Sequence, residues 1–285
     1  MKWLVTGSNG MLGTDLVALL TSRDEDVTAA AREQLDVTDA EAVDRALAGY
    51  DVVVNAAGWT AVDAAEEHED EARAANADAA RHLARAARAH GARLVQISTD
   101  YVFDGSATEP YPEGAVAAPT SAYGRTKALG EEAVREELPD AHLVVRTAWL
   151  YGAHGSCFPT TIARLARERG QVDVVDDQVG QPTWTHDVAD LVVRLVAADA
   201  PAGTYHATSA GQCSWFDFAR TVVVAAGLES STVQPTTSAA FVRPAPRPAY
   251  SVLGHEALVD LGVEPIGDWE ERWAEAAPSV LQQPG

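Results

Sequence analysis

Short, nearly unbroken apolar runs alternate with amphipathic segments through the first half of the chain. Residues 2–6 (Lys-Trp-Leu-Val-Thr), 27–31 (Val-Thr-Ala-Ala-Ala), 51–55 (Asp-Val-Val-Val-Asn), 92–97 and 142–147 lack the apolar-polar alternation of a half-exposed strand, which predicts parallel strands buried on both faces. Between them the spacing predicts helices. One runs through Asp15-Leu16-Val17-Ala18-Leu19-Leu20, one is capped by Thr38 or Asp39, a long Ala- and Arg-rich one covers about Asp70 to His90, and one follows the turn Pro119-Thr120-Ser121. Strand and helix alternating through short links predict an α/β fold whose core is a doubly wound parallel (Rossmann) sheet over residues 1–150.

Past residue 150 the regularity weakens. Helical spacing at 158–169 and 215–226, set among loops rich in Pro and Thr, predicts a smaller C-terminal substrate-binding subdomain over residues 151–285. The segment 184–198 is expected to pack back on the sheet domain. The run Arg243-Pro244-Ala245-Pro246-Arg247-Pro248 reads as a stiff loop.

The length of 285 residues and apolar fraction of 47% suit one large globular unit or a core with a smaller partner. No apolar run approaches the ~18 to 20 residues of a membrane span. A leader starting at Met1 is interrupted at once by Thr6-Gly7-Ser8-Asn9-Gly10, so a cytoplasmic protein is expected. The net charge of −21 argues against nucleic acid and anionic membranes as partners. Cys157 and Cys213 lie far apart without metal-ligand spacing around them and read as reduced structural thiols; no metal is assigned.

Candidate chemistry gathers where the expected strands end. Gly7-Ser8-Asn9-Gly10-Met11-Leu12-Gly13 joins the first strand to the first helix, and its glycines let a pyrophosphate approach backbone N–H groups at the helix start. After the second strand stands Arg32, where an acidic residue would hold the ribose hydroxyls of NAD; an arginine there suits a 2′-phosphate, so NADPH is expected and NADH stays open. Asp36 and Val37 are placed beside the adenine. The small residues Ala56, Ala57 and Gly58, followed by Thr60, let a cofactor lie along the backbone after the third strand. Thr99 and Asp100 close the fourth strand. Tyr123 and Lys127 lie four residues apart near the start of a helix and so share one face. A nearby ammonium is expected to lower the phenol pKa and make Tyr123 a proton donor. Only two lysines occur, Lys2 and Lys127, against nineteen arginines, so a compact, tunable cation is kept at this position.

These segments, together with Ser98-Thr99-Asp100-Tyr101-Val102-Phe103-Asp104-Gly105, Arg146-Thr147-Ala148-Trp149-Leu150-Tyr151-Gly152 and Asp176-Asp177-Gln178-Val179-Gly180-Gln181-Pro182-Thr183, resemble the extended short-chain dehydrogenases, and within them the dTDP-4-dehydrorhamnose reductase family. The resemblance runs from end to end. It implies reduction of the C4 ketone of a dTDP-4-keto-6-deoxy sugar. Tyr123 would act as proton donor, Lys127 would hold the nicotinamide ribose, and Thr99 would orient the ketone. Asp100 and Trp149 match positions at the sugar, and Arg247 is matched to the diphosphate. Sugar-nucleotide dehydratases follow the Thr-Asp pair with glutamate; Tyr101 stands here instead, which favours simple reduction. Trp59 and Cys157 depart from the residues common in the family, so the reaction type is better specified than the sugar. Some members dimerise through magnesium held by acidic side chains. Asp15 and Asp187 fall at matching places, and a homodimer is one assembly open to the chain. A different class, a non-catalytic nucleotide-binding regulatory subunit, also resembles the family and predicts binding without turnover.

Overall fold

A computed structural model describes residues 1–282; residues 283–285, the end of the expected second subdomain, lie outside the described residues. The central sheet holds six parallel strands: β1 (Lys2–Thr6), β2 (Asp26–Ala30), β3 (Val52–Asn55), β4 (Arg93–Thr99), β5 (His142–Thr147) and β6 (Gly203–His206). Their spatial order is β6-β5-β4-β3-β1-β2. The doubly wound fold expected from the apolar runs is present. β6 was not anticipated, because Gly203-Thr204-Tyr205-His206 carries too few apolar residues to read as a buried strand.

β1, β3 and β5 are buried on both faces because helices cover both, whereas β2, at the sheet edge, leaves Asp26 and Ala29 exposed, against the expectation of burial for its run. Trp3 and Val5, Val52 and Val54, Val95, Leu143 and Val145 pack on one side against α1 (Met11–Ser22) and the later helix Thr185–Ala197. Leu4, Val53, Leu94 and Val144 point to the other side, towards α2 (Ala40–Leu47), α3 (Ala79–His90) and α4 (Ala122–Glu137). Asp39, rather than Thr38, caps α2, accepting from the N–H groups of Glu41 and Ala42 at 3.0 Å. The long helix expected from Asp70 to His90 is interrupted: Glu69–Arg73 and α3 flank a π-helical turn, Ala74–Asp78.

A third core lies beyond the sheet. It joins α5 (Phe158–Arg169), α6 (Trp215–Ala225) and α7 (Trp269–Leu281) through Phe218, Trp269 and Trp273. The division near residue 150 is crossed twice. The Thr185–Ala197 helix packs on α1, and β6 completes the sheet edge. Helix α7 was missed, although Asp268 caps it through Glu270 N–H and Trp269, Trp273, Ala276 and Val280 fall on one face.

Gly7 combines a left-handed backbone, at φ +66°, with a close approach: an added Cβ would lie 2.6 Å from the Ala57 nitrogen. Gly7→Ala is therefore expected to cost on the order of 1–3 kcal/mol from the left-handed backbone alone, and more from the clash. A melting temperature unchanged from wild type would show that the turn yields without cost.

Candidate active site

Thr99 ends β4, and α4 begins across one loop from it. Ser121 caps α4, its hydroxyl accepting from Gly124 N–H at 3.1 Å, so Tyr123 and Lys127 occupy the first two turns. Tyr123 is half-buried with its phenol beside the Thr99 hydroxyl, and the ring meets Tyr101 edge-on with centroids 5.5 Å apart. Burial pushes the phenol up to about 12, with the nearby Asp100 adding to the rise and Thr99 opposing it. The Thr99 hydroxyl donates to Asp100 Oδ1 at 2.9 Å and accepts from Tyr101 N–H at 3.2 Å.

The structure corrects the expected role of Lys127. Its Nζ donates to the Ile97 carbonyl at 2.6 Å, and it is not among the groups that shift Tyr123. Burial drives Lys127 down to about 8, opposed by Glu131. Tyr123 is protonated at neutral pH, as a free phenol also is, and desolvation makes it a weaker acid rather than a stronger one.

Asp100 is 2% exposed, and burial lifts its carboxyl to about 6 against the hydroxyls of Ser251 and Thr99. It is expected at the sugar; in this structure its carboxyl is buried, with Oδ1 held by the Thr99 hydroxyl and Oδ2 without a partner among the described residues. Trp149 has φ +46°, rare for a bulky residue, and is held by a parallel stack on Trp215 at 3.6 Å and by the close backbone of Gly180. Arg247 Nη1 is engaged by Asp63 Oδ1 and the Ala245 carbonyl, both at 2.9 Å, so any diphosphate contact competes with that pair.

The residues expected at the cofactor lie along the carboxyl ends of β1, β2 and β3. Gly7 to Gly13, with Asn9 exposed between them, form the turn into α1. No side chain caps that helix, so the N–H groups around Met11 and Leu12 are open to an anion, as a pyrophosphate requires. Arg32 is exposed past β2, 3.8 Å from Asp36, which accepts from the Thr38 hydroxyl at 2.7 Å; Val37 is buried. Ala57 N–H donates to Asn55 Oδ1 at 3.2 Å. Trp59 N–H donates to Asn76 Oδ1 at 2.8 Å, which holds the Gly58–Thr60 segment in place. Asn76 sits in the π turn and also donates to the Thr126 hydroxyl at 3.0 Å. Neither Asn76 nor Gln96, which accepts from Asn55 Nδ2 at 2.9 Å, was anticipated, because no local pattern marks a polar residue inside a buried helix or strand.

The acidic pair considered for magnesium is separately engaged. Asp15 accepts from the Thr185 hydroxyl, and Asp187 is bound by Arg272 through two contacts of 2.8 Å. These two carboxylates do not form a shared donor set. Cys157 and Cys213 are both buried; Cys157 occupies the cap of α5, while His186 lies against Trp184.

The two lysines make Lys127 directly observable. In protein labelled at lysine Cε, the Lys127 carbon signal should titrate with a midpoint near 8, below the ~10.4 of a lysine in the unfolded chain. Between those values the unfolded chain binds more protons than the native one, so this group's penalty on stability is relieved as pH rises through that window. A Lys127 midpoint above 10 would show that it is not desolvated.

Residues 1–281 match the family model described as the RmlD substrate binding domain. The chain is 49% identical to the probable dTDP-4,6-dihydroxy-2-methyloxan-3-one 4-ketoreductase of Streptomyces antibioticus, over 99% of this chain and 96% of that protein. It is 48% identical to the dTDP-4-dehydrorhamnose reductase of Streptomyces griseus, over 100% and 95%. The crystal structure of dTDP-4-dehydrorhamnose reductase from Bacillus anthracis in complex with NADP superposes with a TM-score of 0.93 at 36% identity, covering 97% of this chain and 99% of that one.

Proposed function

The chain belongs to the RmlD substrate binding domain family, and from that membership we propose that it is an NADPH-dependent reductase of the C4 ketone of dTDP-4-dehydro-L-rhamnose, giving dTDP-L-rhamnose. The observation that carries the reading is the half-buried Tyr123 phenol beside the Thr99 hydroxyl, with Lys127 one helical turn behind, at the carboxyl end of a parallel sheet.

The Gly7–Gly13 turn and the uncapped start of α1 would hold the pyrophosphate, Arg32 the 2′-phosphate, and Ala57 to Thr60 the stretch towards the nicotinamide. Bound NADPH supplies the hydride. Tyr123 donates its proton to the ketone oxygen as negative charge develops there, and Thr99, held by Asp100, orients that oxygen. Lys127 provides a positive charge near the reacting centre and holds the nicotinamide ribose. Trp149 bounds the sugar, and Arg247 meets the diphosphate by exchanging its pairing with Asp63.

A second reading keeps the chemistry and changes the sugar. Two relatives of nearly equal identity carry different substrate names, which favours considering another dTDP-4-keto-6-deoxyhexose. The two readings separate on kcat/KM for dTDP-4-dehydrorhamnose against dTDP-4-keto-6-deoxyglucose, with identification of the sugar formed.

Tyr123→Phe should bind NADPH as wild type does and lose about 10²–10⁴-fold in turnover, since it removes the proton donor and leaves the fold's packing nearly intact. Near-normal NADPH consumption by that variant would sink the assignment. Arg32→Ala should raise KM for NADPH while leaving that for NADH nearly unchanged; an equal effect on both would remove Arg32 from the 2′-phosphate site.

A further inference from the structure

Behind Lys127 lies a buried ionic cluster that the reaction as described does not use. Glu131, one turn beyond Lys127 on α4, is 1% exposed. Its Oε1 accepts from the Ser98 hydroxyl at 2.6 Å and from Arg146 Nε at 2.9 Å; its Oε2 accepts from Arg146 Nη2 at 2.7 Å and Arg135 Nη2 at 2.8 Å. Arg146, on β5, is itself 2% exposed, donates to the Glu113 carbonyl, and lies over the Phe103 ring at 4.9 Å. Replacing a buried ion pair with apolar residues is often neutral or stabilising, so stability alone is weak grounds for this one.

The placement suggests another reason. Lys127 bonds the carbonyl of Ile97, and Glu131 bonds the side chain of Ser98, so two successive turns of α4 grip two successive residues of β4. The next residue along the strand is Thr99, and the preceding turn of the helix carries Tyr123. We propose that Glu131 is a positioning residue for the ketone reduction: its carboxylate locks the helix bearing Tyr123 onto the strand end bearing Thr99 and sets a negative charge one helical turn from the Lys127 ammonium. The inference rests on the ketoreductase reading above.

The other polar and charged groups around the cluster do not replace it. On α4 they are Tyr123 and Arg135; at the end of β4, Ser98, Thr99 and Asp100; on β5, Arg146; on β6, Thr204, which accepts from Arg135, and His206, 3.4 Å from Arg146. His206 is held neutral by burial and by Arg146. Glu131 is the anion that offsets the cost of burying Lys127.

The test follows Lys127 by its lysine carbon signal in Glu131→Gln, alongside the pH profile of NADPH oxidation with dTDP-4-dehydrorhamnose. Loss of the carboxylate should move the Lys127 midpoint down by about one pH unit or more, and the alkaline limb of kcat with it, while Glu131→Asp restores both in part. Because Glu131→Gln strands Arg146, the paired variant E131Q/R146M, which removes that buried charge and leaves only the partly exposed Arg135 without its carboxylate, is measured as well and should show a displacement in the same direction. Ser98→Ala should lower kcat several-fold with KM for NADPH unchanged. A lower melting temperature with an unmoved Lys127 midpoint and an unmoved pH profile would reduce Glu131 to a structural residue and overturn the proposal. Wild-type protein that reduces no 4-keto sugar would instead count against the ketoreductase reading, and the lysine titration would still show whether Glu131 controls Lys127.

Discussion

The close approach of one helix to the carboxyl end of the sheet is the constraint on which the site depends. Helix α4 meets the backbone after β4 at Gly124, where a Cβ would fall 2.2 Å from the Tyr101 carbonyl oxygen. It meets the π turn at Gly130, where a Cβ would fall 2.3 Å from the Asn76 carbonyl oxygen. Side chains at either position would push the helix away and carry Tyr123 and Lys127 with it. The π turn belongs to the same contact. By widening one helical turn, it brings Asn76 to the Trp59 backbone and to Thr126, so the segment after β3 and the helix after β4 are joined through one amide.

Packing this tight limits solvent at both groups, and the electrostatics follow. A half-buried phenol and a buried ammonium both favour their neutral forms, so Tyr123 is raised to about 12 and Lys127 lowered to about 8. An exposed tyrosine and lysine four residues apart would influence each other mainly through their charges. Here the surroundings act more strongly than the pair does: the Ile97 carbonyl takes the lysine, while Thr99 and Asp100 flank the tyrosine.

The second half of the chain shapes the other wall. The Trp149–Trp215 stack and the approach of Gly180 hold a strained residue where β5 leaves the sheet, and the Arg247 loop returns to pair with Asp63. These contacts join residues between 31 and 184 positions apart in sequence, counting Gly180 against Trp149 and Arg247 against Asp63.

Local sequence pattern is enough for five of the six strands, their winding and the residue types gathered at the carboxyl end of the sheet. Each of these is written locally: apolar runs buried on both faces, the glycine turn after β1, the Ser121 cap, and a tyrosine and lysine one turn apart. Tertiary structure decided what sequence spacing does not encode. The direction in which Lys127 points, the inward turn of Asp100, the edge strand Gly203–His206 and the Ser98–Glu131–Arg146 cluster arise from groups brought together across the sheet. Their energies come from desolvation and long-range hydrogen bonds, and neither exists until the chain has closed around them.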